Sequence, residues 1–158
     1  MIWKPGTILR IRNFRFEDDG STRDKYGIVL SVNNNESYVL FSLTTSQNNF
    51  GFPALNYGCS VHKFIPYYFI PKNQLIGNDG YFFDKDTFIF FTNNVRKIGF
   101  NNLASLSNIP FGVVSLGVLN NQELSRLLKC ILKSNAIPLN SKTELIAMKD
   151  SIGRRIEE

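Results

Sequence analysis

Short runs of β-branched and aromatic residues, broken at intervals by Asn, Gly, Asp and Pro, commit most of this chain to a sheet-dominated fold. Residues 6–13 read GTILRIRN, where Ile8, Leu9 and Ile11 alternate imperfectly with Arg10 and Arg12. That pattern predicts a strand with one basic face. FRFEDDGSTRDK follows, with charges of both signs around Asp19-Gly20, and reads as an exposed loop. Residues 26–32 (YGIVLSV) form a continuous apolar run that ends at three Asn residues, the mark of a buried strand entering a turn. Residues 38–44 (YVLFSLT) supply the next strand, so a hairpin is expected across residues 33–37. Residues 61–70 (VHKFIPYYFI) and 81–92 (YFFDKDTFIFFT) each predict one more strand, with Gly77-Asn78-Asp79-Gly80 between them. Pro66 lacks the N–H a ladder needs, which confines the first of these to an edge or a bulge.

Beyond residue 93 the periodicity changes. After residues 112–119, Asn120 and Glu123 have capping-box spacing, and Leu124, Leu127, Leu128 and Ile131 recur on one helical face. Ser141 and Glu144 repeat the spacing before Leu145, Met148 and Ile152, with Lys149, Arg154 and Arg155 toward the polar side. The expected fold is mainly β with C-terminal helices, an α+β arrangement of about five or six strands and then two helices. Closure into a small barrel would hide the strand edges. One domain spans residues 1–158, with the barrel over about 1–116 and the helical tail over about 117–158.

A chain of 158 residues with 43% hydrophobic content can bury a core without metals or cross-links. Cys59 and Cys130 have no metal-ligand spacing and are expected as reduced, buried thiols. The start, MIWKPGTILRIRNF, places Lys4, Arg10 and Arg12 among the apolar residues, so no h-region is expected, and no run reaches the length of a membrane helix. The expectation is a cytoplasmic protein with no membrane partner. The net charge of +5 suits an anionic partner, although an Asn-, Lys-, Ile- and Phe-rich composition can arise without selection for binding.

No nucleophile elbow, P-loop, zinc-protease or dinucleotide motif occurs. His62 is the single histidine, which excludes a two-histidine ribonuclease mechanism within one chain, and its strand-like setting reads as structural. Asp84 and Asp86 have the spacing of one strand face, but Lys85 between them favours a solvated turn. Phe50, Phe52 and Tyr57 are apolar for the loop TSQNNFGFPALNYG and are either binding aromatics or residues folded onto the core. Arg23 and Lys25 flank the entry to the YGIVLS strand, and Thr44 ends the strand after it. If those strands pair, a cation and a hydroxyl meet at one end of the sheet, the minimum for holding a phosphodiester.

The order of these segments resembles the MazF/PemK family of toxin-antitoxin ribonucleases. GTILRI from Gly6, KYGIVLS from Lys25, SLTTS from Ser42, FFTNNVRKI ending at Ile98 and GVLNNQEL from Gly117 follow the family's motifs in order, across most of residues 6–133. The resemblance implies an SH3-like barrel that forms a homodimer, binds single-stranded RNA across it, cleaves without metal or cofactor, and is covered by a cognate antitoxin protein. It places the family's strand-entry Arg on Lys25, with Arg23 as a nearby substitute, its strand-end Thr on Thr44, and a basic residue on Arg96. Arg12 and Arg96 are then candidate RNA contacts, and Phe50 and Phe52 are candidates for stacking on unpaired bases. The chain departs from the family in having Lys25 for Arg, Tyr26 for Pro, Asn93 for an acid and Phe91 for a second Arg. Lys lacks the bidentate fork of Arg. The leading expectation is therefore a metal-independent endoribonuclease toxin; a non-catalytic RNA- or protein-binding module on the same barrel is the alternative. A structural or regulatory domain without a nucleic acid partner would scatter its positive charge.

Overall fold

The computed structural model describes residues 3–15, 22–46, 55–91, 95–134 and 137–157. Among the described residues, eight strands form two antiparallel sheets: β1 (Thr7–Arg15), β2 (Thr22–Asn33), β3 (Tyr38–Leu43), β4 (Gly58–His62), β5 (Ile65–Ile70), β6 (Thr87–Phe90), β7 (Val95–Gly99) and β8 (Val113–Val118). The larger sheet has the order β7-β3-β2-β1-β8, and the smaller has the order β4-β5-β6. The described residues also form a short α1 (Phe100–Leu103), continued by a 3-10 turn (Ala104–Leu106), and the longer α2 (Asn121–Leu132) and α3 (Leu139–Glu157). The expected class, mainly β with C-terminal helices, is what the chain adopts. The described ladders end at β7 and β8 and do not pair these edges into a closed barrel.

The apolar run of β2 is continuous because both faces of the larger sheet are covered. On one face Ile8, Ile28, Leu30 and Leu40 meet Tyr68, Ile70 and Ile89 of the smaller sheet and the apolar side of α2. On the other, Leu9, Ile11, Val29 and Phe41 pack with Leu103 of α1 and Val113. Full burial of each such side chain is worth about 1.5–3 kcal/mol. Register shifts interrupt β1 against β2 between Ile11 and Phe14, and β2 against β3 between Val29 and Ser31. Bulges of this kind bend and coil a sheet. The basic face predicted for β1 begins at Arg10, since Ile8 on the same alternation is fully buried.

The structure departs from the sequence reading in several places. Residues 61–70 make a hairpin instead of one strand. The β4–β5 turn places Lys63 at φ 48° and Phe64 at φ 67°, positions normally filled by Asn and Gly, so the sequence carries no turn signal there. Pro66 lies in the central strand of its sheet, yet the β5–β6 ladder begins only at Tyr67, so its missing N–H leaves no gap. Residues 81–86 precede β6, and Asp84 and Asp86 therefore do not share a strand face. Tyr67 and Phe69 of β5 and Phe88 and Phe90 of β6 form a separate buried cluster.

Cys59 and Cys130, expected as reduced thiols, form a disulfide with Cα atoms 5.4 Å apart. Packing of α2 against β4 brings together residues separated by 71 positions, which no sequence spacing announces. Among the described residues, no helix is long and apolar enough to cross a membrane.

Asn120 caps α2 as its spacing predicts, its side-chain oxygen accepting from the Glu123 N–H at 2.8 Å. The box is only half made, because the Asn120 N–H donates to the Ile76 carbonyl and Glu123 turns inward, accepting hydrogen bonds from the hydroxyls of Tyr57 and Tyr68. Asn120→Ala should lower stability by about 1 kcal/mol in denaturant titration. The second predicted box is not used, since α3 begins at Leu139 and places Ser141 inside the helix; Glu144 instead accepts from the Tyr38 hydroxyl.

Candidate functional site

The β2–β3 pairing carries Gly27 opposite Leu43, so the residues just before the one and just after the other emerge at the same end of the larger sheet. Thr44 continues the ladder by donating its N–H to the Tyr26 carbonyl at 2.9 Å. Thr45 then crosses to the smaller sheet through a reciprocal pair of backbone hydrogen bonds with Phe88, at 2.9 and 2.8 Å. This splice joins the two sheets at the base of a cavity of about 610 Å³. Arg23, Lys25 and Thr44, the three residues singled out as catalytic candidates, all line it. Lys85 adds a further cation, while Tyr81 and Phe82 form part of the wall.

Arg23 and Lys25 are two apart on β2 and leave the strand on the same side. Between them Asp24 is held by Arg10, whose Nε and Nη2 donate to Oδ2 at 3.0 and 2.5 Å, and by the Asn13 N–H at 3.2 Å. The Arg10 hydrogen bond, followed by that of Asn13, keeps the Asp24 carboxyl below its ordinary range. Lys25 is half-buried, and its pKa is lowered first by desolvation and then by repulsion from Arg23 and Arg96. An ammonium that is both desolvated and crowded by cations favours an arriving anion.

Thr44 is buried, and its hydroxyl donates to the Tyr26 carbonyl at 3.3 Å. Its oxygen retains acceptor capacity, but the proton a phosphate oxygen would need is already in use. Arg96 is exposed on β7 opposite Phe41, close enough for its charge to act on Lys25, and it flanks the cavity without lining it. Arg12 is exposed on β1, toward Asp24, and also lies outside the lining. Phe50, Phe52 and Asn93 fall outside the described residues. Phe91 is buried in the core. His62 sits at the end of β4, away from this cavity. Of the two acids, Asp84 lines the cavity, whereas Asp86 accepts the Lys72 N–H at 2.9 Å and ties down a turn.

The sequence reading missed the aromatic wall and Lys85. Its visible signal was the alternation within Tyr81-Phe82-Phe83, in which Phe83 is buried and Phe82 exposed. Among the described residues no group of three or more His, Cys, Asp or Glu side chains is placed to hold a metal ion. What the arrangement can do chemically is receive an anion at Arg23, Lys25 and Lys85 beside apolar ring surface. Compared with protein-family models, with curated proteins and with solved structures, the chain finds no match, so its function is argued from this cavity.

Proposed function

We propose that this chain binds single-stranded RNA in the cavity and cleaves it without metal, as the toxin component of a toxin-antitoxin system. The observation that carries the reading is the meeting of Arg23 and Lys25 of β2 with Thr44, which follows β3, at the wall of one cavity. In the proposed reaction the ribose 2′-oxygen bonds to the adjacent phosphorus as its proton passes to a base, and the bond from phosphorus to the 5′-oxygen breaks. Lys25 stabilises the charge gathering on the phosphoryl oxygens, and a proton returns to the departing 5′-oxygen. A lysine whose pKa is lowered is suited to both tasks. On this reading the bulged β1–β3 meander with its flanking strands is an incompletely closed SH3-like barrel, a twin copy extends the RNA groove in the cytoplasm, and an antitoxin covers the same cationic face.

A second reading, a non-catalytic RNA- or protein-binding module, is favoured by one observation: the Thr44 hydroxyl already donates to the Tyr26 carbonyl. One experiment separates the two. Purified protein incubated with long single-stranded RNA in excess chelator should produce fragments ending in 2′,3′-cyclic phosphate. Retarded mobility of intact RNA would give the binding module precedence, and neither cleavage nor binding would overturn both.

A further inference from the structure

We propose that Phe82 is a stacking platform for an unpaired base, so that the cavity receives a nucleotide unit with its phosphate toward Arg23 and Lys25 and its base against the Phe82 ring. This rests on the reading of the cavity as an RNA site.

The segment around Phe82 is anchored on both sides. Phe83 is buried, with the rings of Tyr81 and Tyr26 meeting it edge-on at 5.4 and 5.9 Å. The Tyr81 carbonyl accepts from the N–H groups of Ile76 and Gly77 at 3.0 and 3.2 Å. Gly77 approaches so closely that a Cβ there would stand 2.6 Å from the Tyr81 Cβ. Phe82 itself belongs to none of the core clusters, is 45% exposed, and lines the cavity. An anchored, half-exposed ring beside cations offers what single-strand recognition uses, a π-face next to a phosphate contact.

The charge layout points the same way. Asp84, two residues on and exposed, brings a carboxylate into the cavity on the Phe82 segment. Lys85 beside it lines the same cavity and offsets that charge, so the Phe82 segment carries no net charge there. Arg23, Asp24 and Lys25 leave the β2 side of the lining net positive, which favours a phosphate there and a neutral base on the Phe82 side.

The test uses the full chain, a 2′-O-methylated single-stranded oligoribonucleotide that resists cleavage, the same oligomer with abasic positions, and linear polyphosphate. Phe82→Ala should weaken binding of the methylated oligomer by about tenfold or more and leave polyphosphate binding unchanged, and Phe82→Trp should restore it. The parent should hold the abasic oligomer as weakly as Phe82→Ala holds the intact one. Lys25→Ala should weaken both ligands. If Phe82→Ala binds the intact oligomer as tightly as the parent does, or loses polyphosphate equally, the platform is overturned while the RNA reading stands. If the parent binds polyphosphate and not the oligomer, the RNA reading fails and the platform falls with it.

Discussion

Lys25→Ala should slow cleavage of single-stranded RNA by roughly two to three orders of magnitude, the loss of about 2.7–4 kcal/mol of transition-state stabilisation seen when an oxyanion donor is removed. Folding should not suffer. The Lys25 ammonium is desolvated and repelled by Arg23 and Arg96, so its charge does not favour the folded state. Lys25→Arg should keep or raise activity, because the guanidinium can grip two phosphate oxygens. Cleavage at the parent rate by Lys25→Ala, measured with its thermal midpoint unchanged, would remove the enzymatic reading.

The lowered Lys25 pKa also has a sign that can be checked. Phosphate binding needs the protonated amine, so affinity should hold at low pH and fall as pH rises through a value below the ordinary 10.5. In that same interval the unfolded chain keeps the Lys25 proton longer than the folded one, so this group makes stability rise with pH. Binding and stability should therefore run in opposite directions, and Lys25→Arg should flatten both. Tyr57 and Tyr81, with pKa values pushed up to about 12 chiefly by burial, act only above about pH 10, where the unfolded chain loses their protons first and stability falls.

The second large effect concerns the Cys59–Cys130 bond. Closing a loop across 71 residues should stabilise the fold by about 4 kcal/mol in the chain-entropy estimate. Cys59→Ser is the informative change, because Cys59 is exposed whereas Cys130 is buried and its Sγ lies 3.5 Å from the Tyr67 carbonyl. Substitution at Cys59 removes the cross-link with little loss of packing. Denaturation without reductant should show the variant well below the parent, and added reductant should bring the parent down to it. Equal stability of the parent with and without reductant would show that the bond contributes nothing. Such a bond persists in oxidising surroundings, or wherever reduction is slow, which bears on the compartment proposed for the chain.

The elements that could be read in advance are those whose signals are local. The β2–β3 hairpin, the Asn120 cap and the Leu124–Leu127–Leu128–Ile131 face of α2 depend on period and on side chains within a few positions, and the structure forms each of them. The meeting of Lys25 with Thr44 followed from the same hairpin, since antiparallel pairing alone puts a strand's entry beside its neighbour's exit. Four features were set by contacts across the fold. The Lys63-Phe64 turn is made by residues that seldom adopt positive φ, and flanking strand pairing holds it. The cysteine bond depends on α2 lying against β4. Glu123 exchanged its local capping role for the hydroxyls of buried Tyr68 and half-buried Tyr57, because an ionisable group carried into the core must find partners there. The cavity needed Thr45 to bond with Phe88 so that the segment bearing Phe82 and Lys85 could face Arg23 and Lys25. Periodicity reports which side of an element is apolar, but only packing between sheets decides which polar ends come to face one another.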